Sequence, residues 1–374
     1  MNLLFLNSIE AETFGGMEEW IRLVASGLAA RGHRVTVAGR PGSKYLERIA
    51  ATTSDVQTLE LSISGDFNPV TIGKLKRYIA QNKIEVVIVN FNKDVRLGGL
   101  AARLDGSCRV LWSVGLDITK NAPSHRLLTP RLIDGVIVPS QALKTQITKF
   151  GYLDADKVRV IPIGIPETDS GSDSAEAHRK LCEKYNLDTY SVVAVTSGRF
   201  VDQKGHVYLI EAAPEIVKRQ PKAVFLLLGN GPLEAYLREK IKTLGVEKHF
   251  VFAGMLTDLS LELNGADLMV HPSIEEPFGI AILEGMRACL PVVASEVGGI
   301  PEVVAADETA LLVKPRDPDA LSAAAAELFT SAEKRRQLGR AGRARWHEHF
   351  RLDGMIDTIE QHLKQHFVRT EHHG

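Results

Sequence analysis

Cysteine is scarce in this chain: Cys108, Cys182 and Cys289 stand far apart. Three scattered thiols supply neither metal-ligand spacing nor an even disulfide set, so a disulfide-stapled scaffold is excluded and a reducing cytosol is expected. Long apolar runs are missing as well. No segment approaches the ~18–20 uninterrupted apolar residues of a membrane span. The opening Met1-Asn-Leu-Leu-Phe-Leu is apolar, but it has no basic flank, and Glu10 and Glu12 follow too soon for a signal peptide. A soluble, cytoplasmic protein is the expectation. Net charge is nearly absent too, at −1, and the chain as a whole is no nucleic-acid binder. The charge is unevenly spread, however. Residues 1–165 carry 21 Lys and Arg against 15 Asp and Glu, an excess of 6 that the remainder offsets with −7. Much of it lies from Thr71 onward, including Lys74, Lys76, Arg77, Lys83, Lys93, Arg96, Arg103, Arg109, Arg126 and Arg131. A basic first half fits peripheral contact with anionic lipid or an anionic acceptor; an ordinary solvated face fits it equally.

What is present is a repeating α/β pattern. A length of 374 residues calls for two domains, since single cores rarely exceed about 250–300 residues. Leu3 to Asn7 is a short apolar strand, Met17 to Ala30 has helical spacing, Gly32 sits where a helix-ending glycine belongs, and Arg34 to Ala38 is the next strand. This βαβ unit predicts a parallel sheet. Apolar runs at Val86–Val89, Val110–Trp112, Val136–Val138 and Val158–Ile161 continue it. Glu167 to Ala177 is polar, rich in Ser, Asp and Gly, and reads as a linker. The pattern then restarts at Val192–Thr196, Val224–Leu228, Phe250–Phe252, Leu268–Val270, Val292–Ala294 and Leu311–Val313. Pro318 to His366 reads as helical with a break near Phe350–Gly354. The expected fold class is α/β, with two Rossmann-like doubly wound domains that take ligands at the carboxyl ends of their strands, in a cleft between them.

The most informative stretch is His271-Pro-Ser-Ile-Glu-Glu-Pro-Phe-Gly-Ile-Ala-Ile-Leu-Glu284, continuing through Pro291-Val-Val-Ala-Ser to Gly298-Gly299. It reads as strand, loop, helix, strand and glycine turn. Glu276 and Glu284 are separated by uncharged, mostly apolar residues, and a carboxylate buried there would need a partner. A ribose diol is one, because a carboxylate can accept from both hydroxyls; the solvent side of an amphipathic helix is the other reading of the spacing.

Glu276 to Glu284 resembles the paired-glutamate signature of the retaining glycosyltransferases with the two-domain GT-B fold, in particular family 4, the glycosyl transferases group 1. That family's Gly-x-Pro-Val-Val-Ala-Ser-x-Val-Gly-Gly-Ile-Pro-Glu pattern is matched from Leu290 to Glu302, with Leu290 departing from the glycine. Ser197-Gly-Arg-Phe-Val-Asp-Gln-Lys-Gly205 resembles the segment whose Arg and Lys clamp the donor diphosphate. The resemblance implies transfer of a sugar from a nucleotide diphosphate sugar to an acceptor hydroxyl. It assigns Arg199 and Lys204 to the diphosphate, and Glu276, with the amides of Phe278, Gly279 and Ile280, to the sugar. Glu284 takes the ribose. Two fixed cations would replace a metal at the leaving group, so neither metal nor cofactor is expected. Gly229, in a strand-to-helix glycine turn, is implied near the nucleoside, and Met255 near the base.

Gly15-Gly16-Met17-Glu18 follows the first strand. Its glycines allow a phosphate to approach a helix N-terminus, or simply make a tight turn; the dinucleotide fingerprint is absent, for no third glycine follows. The resemblance places this loop beside donor and acceptor. It also implies domains over residues 1–166 and 167–352, with a final helix, about 353–374, crossing back to the first. The acceptor expected by family frequency is a cell-envelope polysaccharide or lipopolysaccharide, a glycan or glycolipid.

Two departures stand out. Val114 occupies the place of a histidine that contacts the donor sugar in many relatives, with Asp117 as a candidate substitute on the acceptor side. Pro162-Ile-Gly-Ile-Pro166 lacks the polar side chains of the family's Pro-Asn-Gly-Ile-Asp. Asp154-Ala-Asp156 sits in a polar turn and is rejected as a metal site, and His271 is assigned a structural role. The competing functions are a sugar-nucleotide epimerase or phosphorylase of the same fold, a nucleotide-dependent oxidoreductase, and a non-catalytic nucleotide-binding protein.

Overall fold

The computed structural model describes residues 1–10, 15–168 and 174–367. The chain divides into two compact units, Met1–Gly164 with Leu352–Gly374, and Ile165–Arg351.

The first unit is built on a seven-stranded parallel sheet: β1 (Asn2–Leu6), β2 (Arg34–Gly39), β3 (Val56–Glu60), β4 (Val86–Val89), β5 (Arg109–Ser113), β6 (Gly135–Val138) and β7 (Val158–Val160). Their order is β3-β2-β1-β4-β5-β6-β7. Register is set by apolar residues on both sides of β1, where Phe5 pairs with Val37 and with Ile88. Strands covered by helices on both faces become continuous apolar runs; all four residues of β4 and of β6 are buried. β3 escapes the sequence reading. It is an edge strand, Val-Gln-Thr-Leu-Glu, with only Val56 buried, and an edge with a wet face keeps polar residues.

Helix Gly16–Ala30 follows β1 and ends with Gly32 at φ +83°. Helix Leu352–His366 lies against it. A Cβ on Gly27 would fall 2.8 Å from Ile356, so the glycine permits the close approach. Around this apolar contact Arg31 pairs with Asp357 at 2.7 Å and His33 Nε2 meets Glu360 at 2.8 Å. The hydrogen bonds of Lys364 and His33 hold the Glu360 carboxyl at about 2.

The second unit carries β8 (Val192–Ser197), β9 (Ala223–Leu228), β10 (Phe250–Gly254), β11 (Leu268–His271), β12 (Val292–Ser295) and β13 (Ala310–Val313). All are parallel, in the order β10-β9-β8-β11-β12-β13. Ala194, Phe225, Leu268, Val270 and Val293 belong to its core. Each sheet therefore reverses direction once, between β1 and β4 in the first unit and between β8 and β11 in the second. A doubly wound sheet opens a crevice at the carboxyl ends of the strands at such a reversal, because the connections leave to opposite sides.

Two boundaries differ from the sequence expectation. The polar stretch taken as a linker gives way to helix at Ser174, which opens Ser174–Tyr185; residues 169–173 of it lie outside the described residues. The C-terminal helical stretch breaks twice. Ser331 accepts from the Lys334 amide and starts a new helix, Ala332–His349, and the chain breaks again before Leu352. A serine cap interrupts a helix without glycine or proline, so apolar spacing alone does not show it. The end of the expected final helix, from residue 368, lies outside the described residues.

Candidate functional site

In the second unit, the loops after β8 and β11 meet at the reversal point. They are joined through the backbone: the Gln203 carbonyl accepts from the amides of Ile274 (2.8 Å) and Glu275 (3.3 Å). Gly205, at φ +62°, makes this possible, since a Cβ there would lie 2.0 Å from the Pro272 carbonyl oxygen. Segments 72 residues apart in sequence thereby present Lys204 and Glu276 to each other.

Lys204 Nζ donates to Glu276 Oε2 at 2.6 Å, and His271 Nε2 approaches the same oxygen at 2.9 Å. Ser273 Oγ lies 3.0 Å from that His271 nitrogen. The carboxylate is only 9% exposed. Burial by itself pushes it up, yet the hydrogen bond and charge of His271 and the charge of Lys204 outweigh burial and hold it at about 2. Among the described residues no group donates to the other oxygen, Oε1. Glu276 is thus ionised, fixed through one oxygen, and open at the other.

The carbonyl of Glu276 is held as tightly. It accepts from the Gly299 amide at 3.0 Å, and Gly298, at φ +53°, passes so near that a Cβ would sit 2.0 Å from the same oxygen. Beyond Glu276 the chain enters helix Ile280–Arg287 through Gly279. The first amides of a helix have no intrahelical partner, so the Gly279–Ile280 backbone offers donors shortly after Glu276. Phe278 is buried and packs edge-on against Phe350, ring centroids 6.0 Å apart. Glu284 is half-buried on this helix, where its charge supports that of Arg287.

Arg199 follows β8 and is exposed; among the described residues its guanidinium makes no ion pair. Gly229 closes β9, its amide donating to the Gly254 carbonyl at 2.9 Å. Met255, next in sequence, is 66% exposed. These loops are tied to Arg199's own, through the Gly198 amide to Leu228 (3.0 Å) and the Phe200 amide to Asn230 (2.8 Å). One strand edge therefore carries a free guanidinium, a lysine–glutamate pair, open amides and a second glutamate. Chemically, such a set is able to neutralise a polyanion and to accept hydrogen bonds from hydroxyls.

Gly15, Gly16 and Asp117 belong to the first unit. Gly15 caps helix Gly16–Ala30 and Gly16 begins it; residues 11–14 of the loop lie outside the described residues. Glu18, buried, accepts from the Gly15 amide (2.9 Å) and from Asn7 Nδ2 at the end of β1 (3.0 Å). Asp117 is bound by Lys149 at 2.6 Å and by the Thr119 amide and hydroxyl. Val114 is buried. Asp154 caps a short turn by accepting from the Asp156 amide.

Two family models match this chain, one in each half: Glycosyltransferase Family 4 over residues 14–169 and Glycosyl transferases group 1 over residues 178–345. The chain belongs to glycosyltransferase family 4. It is similar to an uncharacterized glycosyltransferase of Methanocaldococcus jannaschii, 34% identical over 58% of this chain and 55% of that protein. It is also similar to the GDP-mannose-dependent alpha-(1-6)-phosphatidylinositol monomannoside mannosyltransferase of Mycobacterium tuberculosis, 29% identical over 79% of this chain and 80% of that protein. Among solved structures, an Anabaena protein in complex with UDP and glucose superposes with a TM-score of 0.82 at 21% identity, over 97% of this chain and 99% of that one. The fold of this family 4 glycosyltransferase is GT-B.

Within that family frame, the folded contacts give three side chains partners that the sequence left open. His271 has a direct bond to Glu276, so its structural role is a specific one, orienting the carboxylate; its signal was its place at the carboxyl end of a strand, five residues before Glu276. Ser273 and Glu18 act at second hand through His271 and Gly15, and only the folded contacts reveal them. One position needs correction. The residue two before Pro291, where the family pattern has its first glycine, is Cys289 rather than Leu290, and Cys289 adopts φ +65°, a left-handed conformation that glycine enters freely.

Proposed function

We propose that this enzyme is a retaining, metal-independent transferase that moves a sugar from a nucleoside diphosphate sugar to an acceptor hydroxyl in cell-envelope glycan or glycolipid synthesis. The observation that carries the reading is Glu276, ionised in a buried site with Oε2 occupied by Lys204 and His271 and Oε1 open. An open, desolvated carboxylate oxygen is a strong acceptor for sugar hydroxyls. Lys204 stands within reach of the same sugar's diphosphate, and Arg199 supplies a second cation.

In the proposed reaction the bond from the anomeric carbon to the diphosphate oxygen breaks and a bond to the acceptor oxygen forms on the same face. The acceptor proton passes to the departing diphosphate. Charge accumulates on the leaving group, and Arg199, Lys204 and the amides of Phe278, Gly279 and Ile280 stabilise it, an effect strongest where water is excluded. Glu284 accepts from the ribose diol. Gly229 and the backbone at Met255 flank the nucleoside, and Gly15-Gly16 offers a helix N-terminus to phosphate. The glycolipid acceptor finds support in the mannosyltransferase relative, whose name specifies a phosphatidylinositol mannoside.

A thermal-shift panel of UDP, GDP, ADP, dTDP and NAD, with and without magnesium, tests the donor. One nucleoside diphosphate should raise the melting temperature in the absence of metal, which also identifies the base. Silence from all four diphosphates, or stabilisation only with magnesium, would overturn the clamp. The anomeric configuration of the product, read by NMR, tests retention.

A further inference from the structure

We infer that the acceptor of this transferase carries an anionic group, a phosphate or comparable oxyanion, which binds a pocket in the first unit lined by Lys93 and Lys120. The inference rests on the transferase reading and extends it to the acceptor.

The pocket has a volume of about 440 Å³ and is lined by Asp66, Phe91, Asn92, Lys93, Arg96 and the loop Asp117–Lys120. That volume lies within the ~300–1,000 Å³ of small-molecule sites. Its position follows from topology: Phe91 and Asn92 come directly after β4, at the reversal point, and Asp117–Lys120 follow the neighbouring β5. Asn90 and Gly115, which precede the two lining segments in sequence, both meet Met17: its Sδ lies 3.3 Å from Asn90 Nδ2, and its methyl packs against Gly115. The loop is fixed to the wall by Asn92 Nδ2, which donates to the Ile118 carbonyl at 2.7 Å.

Charge decides what the pocket takes. Both lining carboxylates already have cationic partners, Asp66 with Arg96 and Asp117 with Lys149. Arg96 is held from its other side by His125 Nε2 at 2.7 Å. Lys93 and Lys120 have no ion-pair partner among the described residues. Two lysines without an ion-pair partner among the described residues therefore line one cavity, and helix Asn92–Asp105, 14 residues long, opens there with its unpaired first amides. The buried Asp94 on the same helix accepts from the Phe91 amide at 2.8 Å, and burial pushes its carboxyl up to about 7. A neutral glycan leaves both ammonium groups unused; a phosphate engages them together with the helix end. Phe67 and Leu116, each next in sequence to a lining aspartate, are more than half exposed, and would accompany a lipid source of that anion.

The test is calorimetric titration of the full-length protein with glycerol 3-phosphate and with glycerol, and flotation with phosphatidylcholine vesicles with or without phosphatidylinositol. Lys93→Gln/Lys120→Gln is compared with Arg103→Gln/Arg109→Gln, which removes two cations paired with Asp134 outside the pocket. Glycerol 3-phosphate, the phosphatidylinositol vesicles or both should bind, and the pocket variant should weaken binding roughly tenfold per lysine, with the control unchanged. Binding of the soluble probe identifies a soluble anionic acceptor; binding of phosphatidylinositol vesicles alone identifies a lipid headgroup. Equal binding of glycerol, no binding of either phosphate probe, or equal loss in the control variant would overturn the inference. Nucleoside diphosphate binding by the same preparations reports separately on the donor reading, so the two cannot fail unnoticed together.

Discussion

Replacing Glu276 by Gln removes the charge on which the second unit's site is built, and the cost can be worked from the geometry. The carboxyl shifts from an ordinary 4.5 to about 2 in the folded protein. At 1.36 kcal/mol per unit, the ionised form contributes roughly 3 kcal/mol at neutral pH. A depressed carboxyl stabilises above its unfolded value and loses that contribution as pH falls toward its folded value. The benefit should therefore be complete above about pH 5, drop to about 2 kcal/mol by pH 3.5 and vanish below about pH 2. Lys204→Met leaves His271 as partner and should cost about 2 kcal/mol, since a buried carboxylate loses a charged donor. Because both changes act on one contact, the double variant should be less destabilised than the sum, by at least ~1 kcal/mol. Urea unfolding in a Trp20→Phe/Trp112→Phe background, where Trp346 alone reports the second unit, measures all four species. If the gap between parent and Glu276→Gln stays constant from pH 7 to 3.5, or if the two substitutions add, then Glu276 is not the buried, paired anion described here. Both single variants should also lose transfer while keeping the fold; turnover retained in both, at an unchanged melting temperature, would refute the site.

Further outcomes follow from backbone and packing. Gly298→Ala places a methyl against the Glu276 carbonyl at φ +53°; it should cost at least ~2 kcal/mol and lower transfer more than nucleotide binding, by kinetics and thermal shift. Cys289→Gly should stabilise the second unit by about 1 kcal/mol, because φ +65° is costly with a Cβ, and an unchanged or lower melting temperature would contradict this. Ile356→Ala, in the contact that Gly27 leaves open, should cost about 2–5 kcal/mol, read as a lower urea midpoint for the first unit.

By itself the sequence determined the α/β class, most strands, the restart of the pattern near Val192 and the motif residues. Parallel strands buried on both faces must be apolar throughout, and the family pattern fixes residue types at set spacings, so both leave a local trace. It was silent on β3, whose exposed face imitates a loop, and on the Ser331 break, where a cap acts without altering apolar spacing. Tertiary structure alone decided that the loops after β8 and β11 share one reversal point, that Glu276 has one occupied and one open oxygen, and that His271 orients it. It also decided which cations are free. Lys93 and Lys120 look no different in sequence from Lys149 or Arg96; what separates them is whether the fold brings a carboxylate within reach, and that is a property of distance.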